Sequence, residues 1–288
     1  MAFAAPFDRI DPTHRLVVRS PSAAAESDRP DPLAVENRIV EIAMDSADAV
    51  HCCLDRSFLD AADPARTKAC NRLHRVRESD RVLASGEPEY RAALPADRDA
   101  VRAYLSVDRE NTDAWLARVF GIAEFAIITD DSWLYRSVPH HDHIRELNAN
   151  AVDGFLDDVT ASLESIPGSG VVPFDGLGTW QTEEYRYAVT ARSIRRSTDG
   201  DRWQTFDLDR LRAVSLVPER SELLLRWDSP ATDSWTRRAF RTVVGRGSTE
   251  PPSRVSLPDR ETTAEFAGAL REVADRLEYE FTVEAIDA

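Results

Sequence analysis

Tyr185–Val217, YRYAVTARSIRRSTDGDRWQTFDLDRLRAVSLV, constrains what this chain can fold into more than any other stretch. Tyr185, Tyr187 and Val189 alternate with Arg186, Ala188 and Thr190, the period of two that marks a half-buried strand. A second short strand runs through Ile194, and Ser197-Thr198-Asp199-Gly200 supplies a turn with Asp-Gly at its tip. Trp203 and Phe206 mark a third strand, and Val214, Leu216 and Val217 a fourth. The stretch predicts a β-meander. It carries no recognisable catalytic motif.

Further strands are predicted over Leu223–Trp227, Ala239–Val244 and Arg254–Leu257, separated by Pro, Ser, Asp and Gly clusters. A helix follows over Glu261–Leu277, with Ala264, Phe266, Ala267, Leu270, Val273, Ala274 and Leu277 on its apolar side. With its many short strands, its closing helix and the run YAVTARSIRR…WQTFDLDRLRAVSLV, the region 178–280 resembles the pleckstrin-homology-like domains of bacteria and archaea. The resemblance implies a bent antiparallel sheet, or partly open barrel, plugged by the helix and presenting ligands at its open end.

Upstream, residues 1–32 are rich in Ala, Pro, Ser and Asp and read as a flexible leader, with HRLVVR at 14–19 able to add an edge strand to a later sheet. From Leu33 apolar residues recur at spacings of three and four through Val35, Ile39, Ile42, Val50 and Leu54, predicting one long helix. Asp63-Pro64 then gives an N-cap with proline at the first helical position, opening a second helix that Gly86 and Pro88 stop. Residues 33–86 are therefore expected to form an antiparallel helical hairpin. Through EIAMDSADAVHCCLDRSFLDAADPARTKACNRLHRV it resembles a helical unit of PhoU-type phosphate-signalling proteins. The face where those units carry acidic metal ligands here offers His74, Arg77 and Glu78.

Residues 87–166 read as a small mixed segment. A short helix is expected over Asp97–Leu105, strands over Ala114–Phe120, Glu124–Thr129 and Trp133–Ser137, and an amphipathic helix over Arg145–Ile166. Residues 167–178 read as a linker, and 179–288 as the β-rich domain with its C-terminal helix. FAIITDDSWLYRS at 125–137 and YAVTARSIRRS at 187–197 share an internal echo: aromatic, small, apolar, Thr, two residues, Ser, apolar. The fold class expected for the whole chain is α+β, a helical hairpin followed by the mixed segment and the pleckstrin-homology-like domain.

Charge bears on the solvent. The chain holds 51 acidic against 36 basic residues, a net of −15, and Lys68 is its one lysine. This balance resembles proteins of a halophilic, high-salt cytoplasm, where hydrated carboxylates hold proteins apart although salt screens charge to ~3 Å at molar strength. Acidity thus reports on solvent and does not imply a basic partner. Pro6, Asp8 and Arg9 break any apolar run at the N-terminus, and no stretch approaches the ~20 apolar residues of a membrane span. Three cysteines without framework spacing fit a reducing compartment. A cytoplasmic protein is expected.

Three clusters could carry chemistry. Pro139-His140-His141-Asp142-His143 places three imidazoles and a carboxylate together, so His140, His141 and His143 are candidate ligands for Zn²⁺ or Ni²⁺. The cluster resembles the His-x-His-x-Asp-His loop of metallo-β-lactamase-fold hydrolases, although its first two histidines are adjacent. As a polar loop, it would instead end in an Asp142 N-cap to the helix over 145–166. Cys52, Cys53, Cys70 and His74 form a second set, readable as a zinc site or as small buried residues in a helix seam. The third is a charge reversal: residues 186–254 hold 14 arginines against nine acids. Arg192, Arg195, Arg196, Arg202 and Arg212 are the candidate binding residues, for an anionic ligand or an acidic protein partner. Alternatively, their stems simply cover the sheet. No cofactor is implied, and no nucleic-acid motif accompanies the arginines. The function expected is non-enzymatic binding or scaffolding; the alternative is a metal-dependent hydrolase on His140–His143.

Overall fold

The computed structural model describes residues 11–19, 30–55, 68–69, 71–85, 87–105, 119–130, 132–140, 144–198, 202–228 and 250–286. The chain divides into two compact units, the first ending at Phe174 and the second beginning at Asp175. No helix among the described residues is long and apolar enough to cross a membrane.

The first unit is organised by one antiparallel sheet. Its strands are β1 (His14–Val18), β2 (Ala49–Leu54), β3 (His74–Arg75), β4 (Glu89–Ala93), β5 (Ile122–Ile128), β6 (Trp133–Ser137), β7 (Arg145–Leu147) and β8 (Ser169–Pro173). They lie in the order β3-β4-β2-β5-β6-β7-β1-β8. Helices α1 (Pro32–Asp45), α2 (Arg98–Leu105) and α3 (Phe155–Leu163) accompany the sheet. α1 begins where Asp31 accepts a hydrogen bond from Leu33 N at 3.0 Å with Pro32 behind it, a complete N-cap. Its buried Ile39, Val40 and Ala43 share one core with Val50, Cys52, Phe125 and Tyr135 of the sheet. Glu36, also buried on α1, accepts from Tyr135 Oη at 2.9 Å and meets Arg145 Nε at 3.5 Å. On the outside Arg98 and Arg102 of α2 clasp Glu41 of α1 at 2.9 and 2.7 Å. The Arg102 hydrogen bond, helped by Arg98, holds the Glu41 carboxyl below the usual range.

The structure overturns the expected helical hairpin. α1 stops at Asp45, and Ala49–Leu54, predicted as its continuation, is a central strand buried at all six positions. A strand buried on both faces shows no alternation, so its apolar residues merge with the helical stripe before it. Of the second predicted helix, residues 68–69 are helical, His74–Arg75 is a strand and Glu78–Asp80 one 3₁₀ turn; residues 56–67 and 70 lie outside the described residues. The helix expected over Arg145–Ile166 opens instead with β7 and begins at Phe155, after Gly154 at φ 78°. The HRLVVR strand is not at an edge: β1 lies between β7 and β8. Ser169–Pro173, inside the expected linker, pairs with it. Residues 119–120 are helical where the strand Ala114–Phe120 was expected, and 114–118 lie outside the described residues.

The internal echo proves to be one turn used twice. Thr129 N and Oγ1 both donate to Ser132 O, at 2.8 and 3.2 Å, closing β5 onto β6. In the second unit Thr190 N and Oγ1 donate to Ser193 O at 2.9 and 3.2 Å. A threonine opening a two-residue hairpin loop thus adds a side-chain bond to the backbone closure.

The second unit contains two four-stranded sheets and one helix. β9 (Gly178–Gln181), β10 (Arg186–Val189), β11 (Ser193–Ser197) and β12 (Gln204–Asp207) form an antiparallel meander in the order β12-β11-β10-β9. β13 (Leu211–Val217), β14 (Glu222–Trp227), β15 (Arg254–Ser256) and β16 (Thr282–Ala285) form the other, in the order β15-β14-β13-β16, with β16 parallel to β13. α4 (Arg260–Leu277) packs against strands of both, its Phe266 ring 4.6 Å from that of Trp180 and 6.0 Å from that of Tyr187. Gly178 lies under the Trp180 indole, where any Cβ would collide with the ring. The two sheets are separate and close no barrel, so the expected partly open barrel is corrected as well. The strand expected over Ala239–Val244 lies outside the described residues.

Candidate functional site

The first unit has a second sheet face, turned away from α1, and the sequence of β2 decides what stands there. Alternation along AVHCCL sends Val50, Cys52 and Leu54 to the helix-side core and Ala49, His51 and Cys53 to the other side. Register then aligns whole rows of side chains across the strands. Cys53 pairs with Glu89 of β4 and Glu124 of β5, putting two carboxylates on either side of a thiol. Two residues along, His51 pairs with Arg91, and Arg91 with His74, a basic row across β2, β4 and β3.

Both carboxylates are buried and both hold the loop that covers this face. Glu89 accepts from Val82 N at 3.2 and 3.1 Å and from Leu83 N at 3.0 Å. Glu124 accepts from Ala84 N and Ser85 N, each at 3.1 Å, and from Arg136 Nε at 2.7 Å. Four successive backbone N–H groups therefore satisfy two acids that would otherwise be costly to bury. Val82 and Leu83, drawn down by these bonds, pack on Ala49, Cys53, Ala126, Ile128 and Trp133. Burial above all, reinforced by the flanking Glu89 and Glu124, pushes the Cys53 thiol up to about 12. It stays protonated and is a poor nucleophile.

Glu89 has a further role. His51 Nδ1 stands 2.6 Å from Glu89 Oε1. Backbone donors already meet both oxygens of this carboxylate, so it accepts and Nδ1 carries the hydrogen, leaving Nε2 as the ring's unprotonated position in the neutral form. The imidazole is fixed in tautomer and orientation. It forms part of the lining of a cavity of about 380 Å³ bounded also by Val82 and Ile128.

Charged residues make up most of the rest of the cavity's lining, beside Ala49, Val76 and Thr129. Arg91 and His74 share a row with His51, Arg77 follows β3, and Asp48, Asp80 and Asp130 are the acids of the lining; Arg75 also borders the cavity but pairs with Tyr90 of the helix-side core, so its side chain belongs to the other face. Among the described residues, the side chains of Arg75, Arg77 and Arg91 make no hydrogen bond or ion pair. Elsewhere in the same unit Arg98, Arg102 and Arg136 are each committed to carboxylates. The uncommitted guanidinium groups of Arg77 and Arg91 beside a fixed imidazole offer donors suited to a carboxylate or phosphate.

The residues predicted from sequence are not brought together. Arg195 and Arg196 are consecutive in β11 and project to opposite faces. Arg195 lies over Trp203 at 5.0 Å; Arg196 lies over Tyr185 at 4.8 Å and Phe206 at 5.2 Å and donates to Gln204 Oε1. Arg212 belongs to the other sheet, bonded to Asp228 and 3.3 Å from Glu280, and it holds the Asp228 carboxyl below its usual range. Arg192 and Arg202 are exposed near the turns of the meander. His140 is exposed after β6, whereas His141, Asp142 and His143 lie outside the described residues. Cys52 and Cys53 point to opposite faces of β2, Cys52 toward Tyr104 Oη at 3.5 Å, and Cys70 lies outside the described residues. Among the described residues no three His, Cys, Asp or Glu are grouped to hold a metal ion.

Sequence reasoning passed over His51, Glu89, Arg91 and Glu124. The signal available was EYRAA at 89–93, where Glu89 and Arg91 alternate with Tyr90 and Ala92, and a lone histidine inside an otherwise apolar AVHCCL. No protein-family model, curated protein or solved structure matches this chain.

Proposed function

We propose that this chain is a binding protein whose first unit holds the anionic group of a small molecule over the His51–Arg91–His74 row. The observation that carries this reading is the pair of uncommitted arginines, Arg77 and Arg91, beside an imidazole held by Glu89. An arginine fork matches a carboxylate or phosphate through two parallel hydrogen bonds, and such short contacts persist where salt screens longer-range attraction. The cavity lies at the lower end of the ~300–1,000 Å³ range of small-ligand pockets. The binding function expected from the sequence is retained, but its site moves from the arginines of the second unit to the second sheet face of the first. A high-salt solvent remains the setting we propose from the acidic composition.

Calorimetric titration with inorganic phosphate and with citrate tests this. At least one should bind, and Arg91→Gln should weaken it tenfold or more, about 1.4 kcal/mol. Equal binding by the variant, or no binding of either anion to the unaltered protein, would remove the site.

A further inference from the structure

We infer that His51 is a phosphoryl acceptor, its Nε2 attacking the phosphorus of a small acyl phosphate held at the anion site. This step rests on the binding reading above and adds to it a covalent reaction and a class of donor. The buried members of the cavity lining are Ala49, His51, Val82 and Ile128. Ala49, Val82 and Ile128 are apolar and belong to the core of this sheet face, so the imidazole is the nucleophile set among them. Glu89, itself fully buried, takes Nδ1 at 2.6 Å and fixes the ring. The nitrogen left for the cavity is Nε2, which in the neutral ring carries the lone pair. Among the described residues nothing bonds Nε2, and it is not one of the fully enclosed, unbonded polar atoms, as the Trp133 indole nitrogen on the same face is.

Register sets the group that holds the phosphate beside the nucleophile. Arg91 lies directly across from His51, where paired side chains start about 5 Å apart. A guanidinium fork there binds phosphoryl oxygens and stabilises the charge they carry during transfer. The Nε2 lone pair forms the N–P bond as the P–O bond to the acyl oxygen breaks, and that electron pair leaves with the carboxylate. A carboxylate needs no proton to depart, so the step asks for no general acid. The ring gains positive charge as it bonds phosphorus, and Glu89, a positioning residue itself held by Val82 N and Leu83 N, offsets that charge through Nδ1–H. The hydrogen stays between Nδ1 and Glu89 throughout. Charge balances: a dianionic acyl phosphate gives one carboxylate and an imidazolium bearing a dianionic phosphoryl group.

Acetyl phosphate is the probe, incubated with the full chain and followed by ³¹P NMR and by mass mapping of fragments in alkali, where a phosphoryl–nitrogen bond survives. The label should appear on His51 roughly tenfold faster than on His74, which shares the row but is exposed. Arg91→Gln, at an exposed position that leaves the Glu89 contacts in place, should slow labelling of His51 about tenfold. Equal rates at His51 and His74, no label on His51, or a rate indifferent to Arg91→Gln overturns the phosphoryl acceptor, while phosphate or citrate binding by calorimetry still upholds the anion site. Absence of the label together with absence of phosphate and citrate binding overturns both.

Discussion

Glu89→Ala should destabilise the first unit by about 3–5 kcal/mol, because it removes a buried carboxylate on which several hydrogen bonds converge. The substitution strands three donors at once: His51 Nδ1, Val82 N and Leu83 N. Each buried donor left without an acceptor costs about 1–3 kcal/mol, and part of that returns if the loop lifts and lets water in. The expected structural signature is therefore local. Amide exchange should accelerate at Val82–Ser85 and along β2, while the second unit keeps its protection. Glu89→Gln should recover little, since its NH₂ would face backbone donors that need an acceptor. A loss below about 1 kcal/mol with unchanged exchange would mean that the carboxylate does not hold the loop.

Phe266→Ala should cost the second unit about 3–5 kcal/mol, as for other buried Phe→Ala changes. Its side chain is fully buried on α4, in contact with the rings of Trp180 and Tyr187 from the meander. Truncation leaves a void between the helix and the β9–β12 sheet that neither indole nor phenol can fill without leaving its rotamer. Leu270, one turn further and equally buried, should behave in the same direction with a smaller loss. Urea unfolding followed by the near-ultraviolet signal of the aromatic cluster measures the effect. A change under about 1 kcal/mol would place α4 at the periphery of the unit.

The two units differ in how much their sequences disclose, and burial explains the difference. Strands of the second unit have one wet face, so Tyr187 and Val189 alternate with Arg186 visibly, and the helix expected over Glu261–Leu277 runs Arg260–Leu277. In the first unit β2 and β5 are covered on both faces, by helix-side residues on one and by the 82–85 loop on the other. Period two vanishes there, and Val50, Cys53 and Leu54 continue the spacing of α1 by coincidence. Buried acids mislead in another way: Glu89 and Glu124 read as solvent-facing residues until the loop that satisfies them is in view. The site was illegible for the same reason. Its basic row depends on the register of three strands, β2, β4 and β3, whose residues lie up to 40 positions apart. The arginines of β11 were conspicuous by number alone, and consecutive positions in a strand cannot share a face.

Histidine side-chain NMR offers the most direct test of the anion site. The chain has six histidines, of which His51 and His74 line the cavity and His14, in β1, serves as an internal reference. Addition of the anion that binds calorimetrically should shift the ¹⁵N resonances of His51 and His74, with the His51 change centred on Nε2 because Nδ1 remains bonded to Glu89. His14 and the 140–143 group should stay in place. Shifts confined to His140, His141 and His143, with His51 and His74 unmoved, would contradict the account.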